Sequence, residues 1–115
     1  MRTENRRAIG ARYEELAAAY LADKGCEIIQ RNFRCRMGEI DLIARDGEYL
    51  VFVEVKYRST DDFGGGEAAI HARKRQTIRK VAAFYLQQTR SEAYCRFDAV
   101  IITAAGEIRH YQNAF

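Results

Sequence analysis

The stretch that most constrains the fold of this chain is residues 38–56, GEIDLIARDGEYLVFVEVK. Two apolar, β-branched runs, residues 39–44 and 49–57, flank the pair Asp46-Gly47. An Asp-Gly pair between two such runs is a strong signal for a tight turn between antiparallel strands. The sequence therefore predicts a β-hairpin.

The turn type sets the register of this hairpin and so decides which side chains meet. A two-residue turn at Asp46-Gly47 pairs Arg45 with Glu48, Asp41 with Phe52, and Glu39 with Glu54. Because side chains alternate between the two faces of a sheet, Asp41, Glu54 and Lys56 are predicted to emerge on one face. Asp41 and Glu54 would be diagonal neighbours, with α-carbons roughly 7–8 Å apart.

Two carboxylates at this spacing can hold one divalent cation, with the ammonium of Lys56 next to it on the strand. The alternative is an ordinary solvated face, since charged residues often alternate along a strand. The second strand is too apolar for that interpretation, because its run of Leu50 to Val53 and Val55 loads both faces, as in an interior strand. Buried charges there need a partner or a metal. The pattern thus indicates a metal-dependent hydrolytic site.

Composition sets broad limits on the class of protein. The chain has 115 residues, which suits one domain, residues 1–115, with a core of its own. Its net charge of +3 permits a polyanionic partner without requiring one. No apolar run reaches the length of a membrane span, and the first residues lack a signal-peptide core.

The three cysteines, Cys26, Cys35 and Cys95, are odd in number and have no zinc-site spacing. We expect free thiols in a reducing cytoplasm; a catalytic cysteine is the weaker alternative.

The remaining elements follow from periodicity and turn signals. The predicted order is αβββαββ, an α/β arrangement with a central mixed sheet flanked by helices. The helices are predicted at residues 2–24 and 67–89, and the strands outside the hairpin at 26–34, 97–103 and 107–111. Residues 59–66, STDDFGGG, are predicted to form a loop, either a flap beside the site or a plain connector.

Charged residues on the helices admit more than one interpretation. Glu14 shares a helix face with Gly10, and on pattern alone it is a surface acid. Arg58, Arg73 and Lys74 follow the candidate site along the chain, and we expect them to contact a phosphate backbone. Solvated cations are the alternative.

These segments together resemble a known family. The motifs GEIDLIARD and LVFVEVKYR, preceded by GARYEELAAAYL and followed by RFDAV, closely resemble the YraN-like bacterial proteins. These form an uncharacterised family related to archaeal Holliday-junction resolvases. The resemblance spans nearly the whole chain, and it implies the restriction-endonuclease-like fold of the PD-(D/E)-x-K nucleases.

The resemblance also implies roles for individual residues. Asp41 matches the first Asp of the nuclease motif, Glu54 its second acid and Lys56 its lysine. Glu14 matches the acid on the first helix of the resolvases, which favours a catalytic role over a surface one. Ile40 stands where the motif's name has proline, a departure that the superfamily commonly tolerates.

The implied activity is hydrolysis of phosphodiester bonds in DNA, with branched or otherwise structured DNA as the expected substrate. Asp41, Glu54 and, by resemblance, the Val55 carbonyl would bind Mg²⁺ or Mn²⁺, which prefer oxygen ligands. Lys56 would orient the attacking water or stabilise developing charge, and Glu14 would help to hold a second metal or a water. The resolvases of this fold are dimers, which implies a homodimer here.

Two other classes of function remain open on the sequence. One is a nucleic-acid-binding module that keeps the nuclease fold without efficient cleavage. The other is a protein-interaction domain in which the charged residues form a structural ion-pair network. Divalent-metal binding separates the nuclease from the interaction domain, and cleavage separates it from the binding module.

Overall fold

A computed structural model describes residues 6–58 and 72–115, with the side chains of residues 6–9 excepted. The elements are α1 (Arg6–Asp23), β1 (Glu27–Cys35), β2 (Gly38–Asp46), β3 (Tyr49–Arg58), α2 (Ala72–Thr89), β4 (Tyr94–Thr103) and β5 (Ile108–Tyr111). The predicted order αβββαββ and the α/β class are confirmed. The predicted loop at 59–66 lies outside the described residues, as do residues 2–5 and 67–71 of the two predicted helices.

The five strands form one sheet in the order β1-β2-β3-β4-β5. Strands β3 and β4 are parallel, and every other neighbouring pair is antiparallel. The parallel pair needs a crossover between its strands, and α2 lies in that connection. Strand β3 is therefore the central strand, as its apolar sequence predicts.

The two helices cover opposite faces of the sheet. On the α1 face the buried residues are Ala17, Ala18, Leu21, Leu42, Val51, Val53, Val100 and Ile102. On the α2 face they are Phe33, Ile40, Ile43, Leu50, Phe52, Ile78, Val81, Ala82 and Tyr85. Each large apolar side chain buried in these clusters contributes about 1.5–3 kcal/mol relative to an exposed one.

The hairpin register differs from the predicted one by two residues. The two-residue turn is Gly47-Glu48, so that Asp46 pairs with Tyr49, and the ladder runs on to Leu42 opposite Val53. Of these turn residues, Gly47 alone has a positive φ, 61°, which suits the first central position of a hairpin turn. The predicted pairing of Asp41 with Phe52 is therefore wrong, because Phe52 pairs with Ile43.

Strand β2 changes face at Asp41. Ile40 packs on the α2 side of the sheet, whereas Leu42 packs on the α1 side, although regular alternation would put both on one face. Across the ladder, Asn32 lies between the paired residues Arg31 and Phe33 and has a φ of 51°. The β1–β2 ladder is thus distorted at Asn32 and Asp41, next to the candidate site.

Two further expectations concern membranes and cysteines. Neither helix in residues 6–58 and 72–115 has the length and apolarity that a bilayer crossing requires. Cys26, Cys35 and Cys95 are all free thiols, as predicted.

Candidate metal centre

Three carboxylates from three different elements meet beyond the last ladder pair of β2 and β3. They belong to Glu14 of α1, Asp41 of β2 and Glu54 of β3, and the Asp41 carboxylate interacts with both of the others. The backbone N–H of Val55 donates a hydrogen bond of 2.8 Å to Oδ2 of Asp41. Asp41 therefore joins the two strands through its side chain, and the predicted convergence of Asp41 and Glu54 is confirmed.

Glu54 is the buried member of this group, with only 4% of its surface exposed. Its Oε2 has no hydrogen-bond partner among the described residues, although Nζ of Lys74 lies 3.3 Å away. The ammonium is close but is not aligned for a hydrogen bond. Burial raises the pKa of Glu54 to about 9, Asp41 adds to the shift, and the charges of Lys74 and Lys56 offset part of it. An ionised Glu54 thus lacks a sufficient counter-charge.

Glu14 is half-buried on α1 and faces the same group. Burial and the charge of Asp41 raise the pKa of Glu14 to about 7, whereas a side-chain hydrogen bond from Asn32 acts to lower it. Glu14 therefore lies against Asp41 and is not an isolated surface acid, and the catalytic role that the family resemblance implies for it stays a prediction. No pattern in the sequence indicated the contact with Asn32.

A cleft of about 510 Å³ adjoins Glu14. Its lining residues are Gly10, Ala11, Glu14, Asn32, Arg34 and Glu39. Its volume lies in the range of ligand-binding pockets. The group is therefore open to this space at Glu14, whereas Asp41 and Glu54 do not line the cleft.

The basic candidates occupy different positions around the group. Lys56 is half-buried two residues beyond Glu54, and its charge acts on the Glu54 carboxyl. Arg58 is the last residue of β3, where its Nη1 donates to the Tyr57 carbonyl over 3.1 Å. Arg73 is exposed on α2, while Lys74 contacts Glu54. The phosphate-contact role of these residues stays a prediction.

The oxygen donors of this group fit a hard divalent cation. In a β-strand the N–H and carbonyl of one residue point to the same edge, so the Val55 carbonyl lies on the edge that faces Asp41. Across the described ranges, no three His, Cys, Asp or Glu side chains are arranged to hold an ion by themselves. Mg²⁺ keeps several waters, so Asp41, Glu54 and one carbonyl are a sufficient protein contribution.

A second buried carboxylate, Asp98 of β4, is fully enclosed and has several hydrogen-bond donors. Arg96 Nε and the Asn113 N–H lie 3.0 and 2.9 Å from Oδ1, while Arg96 Nη2 and His110 Nε2 lie 3.0 and 2.7 Å from Oδ2. Burial acts to raise the pKa of Asp98, but the hydrogen bonds from His110, Arg96 and Asn113 outweigh it and lower the pKa. Arg96 also pairs with Asp46 over 3.0 Å, which ties β4 to the hairpin turn.

No pattern in the sequence predicted this network. Residues 97–103 were predicted only to form a strand, with no role for Asp98. The one available signal was an acid inside the apolar run FDAVIIT, two residues after an arginine. A buried acid of that kind needs partners.

Comparison with known proteins places the chain among bacterial relatives along most of its length. The profile of the uncharacterised protein family UPF0102 matches residues 13–102. A UPF0102 protein of Syntrophus aciditrophicus is 46% identical over 91% of this chain and 83% of its own length. Relatives of the same name from Lachnoclostridium phytofermentans (45% identical over 96% of this chain and 95% of their own) and Methylobacillus flagellatus (47% over 93% and 96%) are similarly close.

Proposed function

We propose, for a chain that belongs to the uncharacterised protein family UPF0102, a metal-dependent nuclease activity that hydrolyses phosphodiester bonds. The family description names no activity, so the site itself carries the proposal. The carrying observation is the buried Glu54 carboxyl, whose Oε2 lacks a hydrogen-bond partner among the described residues and which is in contact with a second carboxyl, that of Asp41. Like charges held together in this way favour binding of a cation.

The residues of the site would have different roles in this reaction. Asp41 and Glu54, with the Val55 carbonyl, would hold a Mg²⁺ or Mn²⁺ ion, which when bound would polarise a phosphate and acidify a water. Lys56 is the nearest cation on the same strand, and it would orient the attacking water or stabilise charge on the phosphate. Glu14, whose raised pKa of about 7 lies in the range suited to proton transfer, would accept a proton from water or position it.

The substrate class rests on charge and on resemblance. Lys56, Arg58, Arg73 and Lys74 provide cations on β3 and α2, and phosphate contacts supply most of the affinity in nucleic-acid binding. The relation of YraN-like proteins to Holliday-junction resolvases favours branched or otherwise structured DNA, with a homodimer as the binding form. Both are parts of this proposal.

One observation favours a different function. The contact between Lys74 and Glu54 is a partly buried ion pair, as expected if the charged group only stabilises a protein-interaction domain. In that case the site would bind no metal.

A cleavage panel tests the proposal. Branched, flapped, single-stranded and duplex DNA, and the corresponding RNA, are incubated with Mg²⁺ or Mn²⁺ and the wild-type protein. We expect cleavage of at least one structured DNA, and a loss of roughly 10²–10³-fold in Lys56→Ala, comparable to removal of a charge-stabilising group in other enzymes.

The matched control is Glu48→Gln, which removes an exposed acid from the hairpin turn and leaves the site intact. It should cleave as the wild type does. Metal binding without cleavage of any substrate would leave the non-cleaving binding module as the better proposal, and absence of metal binding would favour the ion-pair network.

A further inference from the structure

Lys74 reaches the metal centre from α2, an element that contributes none of the carboxylates. Three residues later on the same side of this helix, Thr77 packs against Gly38 at the start of β2. A β-carbon on Gly38 would lie 2.7 Å from the Thr77 methyl, so α2 approaches the sheet too closely for a larger residue at this position. This close packing brings Nζ of Lys74 to 3.3 Å from Oε2 of Glu54.

The contact between these two side chains is one-sided. The Lys74 side chain is 43% exposed, whereas that of Glu54 is 4% exposed. Lysine carries a strongly hydrated charge on a flexible stem, so Lys74 can withdraw into water without disturbing the core. Glu54 cannot follow, and the buried oxygen would then need another cation.

We propose that Lys74 is an exchangeable counter-ion of the metal centre. It pairs with the Glu54 carboxyl in the metal-free protein, neutralising it where it is ionised, and leaves Oε2 when a divalent cation binds, because the cation would repel an ammonium held on the same oxygen. The released ammonium then lies at the mouth of the site, where it contacts a phosphate of the substrate. This role rests on the proposed function, and it distinguishes Lys74 from Lys56, which stays at the site throughout.

Metal titration without nucleic acid tests the exchange. Lys74→Met keeps an unbranched side chain one atom shorter and removes its charge, and Lys80→Met makes the same charge change at an exposed position on the same helix. We expect Mn²⁺ to bind about three- to tenfold more tightly to Lys74→Met, an effect limited by solvent screening, and with unchanged affinity to Lys80→Met.

The direction of this effect also holds where Glu54 carries a proton in the metal-free protein. Removing the Lys74 charge favours the binding of a doubly charged ion to Glu54 about twice as strongly as it favours the binding of a proton. The metal ion therefore still gains when it displaces that proton. Equal or weaker Mn²⁺ binding by Lys74→Met would overturn the proposal.

The second half of the role concerns the substrate. In cleavage assays at saturating metal, Lys74→Met should raise KM while kcat changes little, and Lys74→Arg should restore KM because it restores a phosphate-binding charge. A drop in kcat at unchanged KM would contradict release toward the substrate.

A metal-free experiment separates failure of this inference from failure of the nuclease proposal. A double-mutant cycle of Lys74→Met and Glu54→Gln in denaturant unfolding, above pH 9 where Glu54 is ionised, should show favourable coupling. Absence of coupling would overturn the counter-ion role itself. Favourable coupling, together with a wild type that binds no metal, would instead remove the nuclease proposal and with it the exchange of Lys74 for a metal ion.

Discussion

Glu54 and Asp98 are buried carboxylates on two adjacent parallel strands, yet their surroundings differ in kind. Asp98 pairs in register with Val53, and Glu54 pairs with Ala99, so the two acids lie one residue apart on opposite faces of the sheet. Asp98 accepts hydrogen bonds from Arg96, His110 and the Asn113 backbone, and its pKa is lowered.

For Glu54 the balance is reversed. The carboxyl of Asp41 interacts with it, its Oε2 lacks a hydrogen-bond partner among the described residues, and its pKa is raised. A carboxylate whose donors come from its own protein stabilises the fold, whereas one left short of donors marks a place for a ligand. Burial alone does not distinguish the two cases.

The largest expected effect is at Asp98. Asp98→Asn removes the negatively charged partner of Arg96 and His110. It also places an NH₂ group, a hydrogen-bond donor, where the surrounding groups are donors too. We therefore expect a loss of about 3–5 kcal/mol in the free energy of unfolding. Denaturant unfolding of the wild type and the variant at pH 7 measures it. A loss below about 1 kcal/mol, the size of an exposed ion pair, would remove the contrast between the two regions.

The same substitution at Asp41 is expected to behave differently. Asp41→Asn relieves repulsion with Glu54 and can still accept the Val55 N–H, so metal-free stability should be unchanged or improved. The wild type should gain about 2.7 kcal/mol when Mg²⁺ or Mn²⁺ is present at a hundred times its Kd, and the variant should gain much less at the same concentration.

Thermal melts of both proteins with and without metal, beside Glu48→Gln as a control, provide the measurement. A marked loss of stability in metal-free Asp41→Asn, together with no metal-induced stabilisation of the wild type, would count against the metal centre and in favour of the ion-pair network.

The pH dependence of stability should have opposite signs in the two regions. The pKa of Glu54 rises from 4.5 to about 9 and that of Glu14 from 4.5 to about 7 on folding, so the metal-free folded state binds protons that the unfolded chain has lost. Stability should therefore fall as pH rises from about 4.5 to 9. The pKa of Asp98 is lowered, so its contribution should disappear as pH falls through that pKa.

Denaturant unfolding across this pH range measures both slopes. Glu54→Gln should flatten the alkaline slope and leave the acid loss unchanged. An unchanged alkaline slope in this variant would show that Glu54 ionises normally in the folded protein.

The smallest expected effect concerns the hydrogen bond to Glu14. Asn32 and Asn113 both have a φ of 51°, so replacement by Gly at either position preserves the backbone conformation. Asn32→Gly should change the free energy of unfolding by less than about 1 kcal/mol but raise the pKa of Glu14 and weaken metal binding. Asn113→Gly keeps the N–H that bonds to Asp98, and it should leave both quantities unchanged.

Carboxyl NMR titration of Glu14 and metal titration of the two variants measure these effects. Equal metal affinity in Asn32→Gly and the wild type would show that this hydrogen bond does not contribute to the site.

The sequence predicted the position of Asp41 and Glu54 despite a wrong register. The predicted pairing was displaced by two residues, and a displacement of two preserves the face on which every side chain lies, whereas a displacement of one would have reversed it. The convergence of the two acids therefore depended on strand periodicity, which is local. Two local details did not follow from periodicity: β2 changes face at Asp41, and the Asp41 side chain accepts a hydrogen bond from the Val55 N–H.

By itself the sequence determined the αβββαββ order, the central position of β3 and the acids of the candidate site, because periodicity and turn residues act over a few positions. The tertiary structure alone decided that Lys74 lies on Glu54, that Asn32 bonds to Glu14, and that Asp98 is surrounded by donors. The residues of most of these contacts lie 12 to 20 positions apart in the sequence. Arg96 and Asp98 are only two positions apart on one strand, but no sequence pattern indicated that they pair. The physical reason is that a charge's partners are fixed by packing between elements, to which no local periodicity applies.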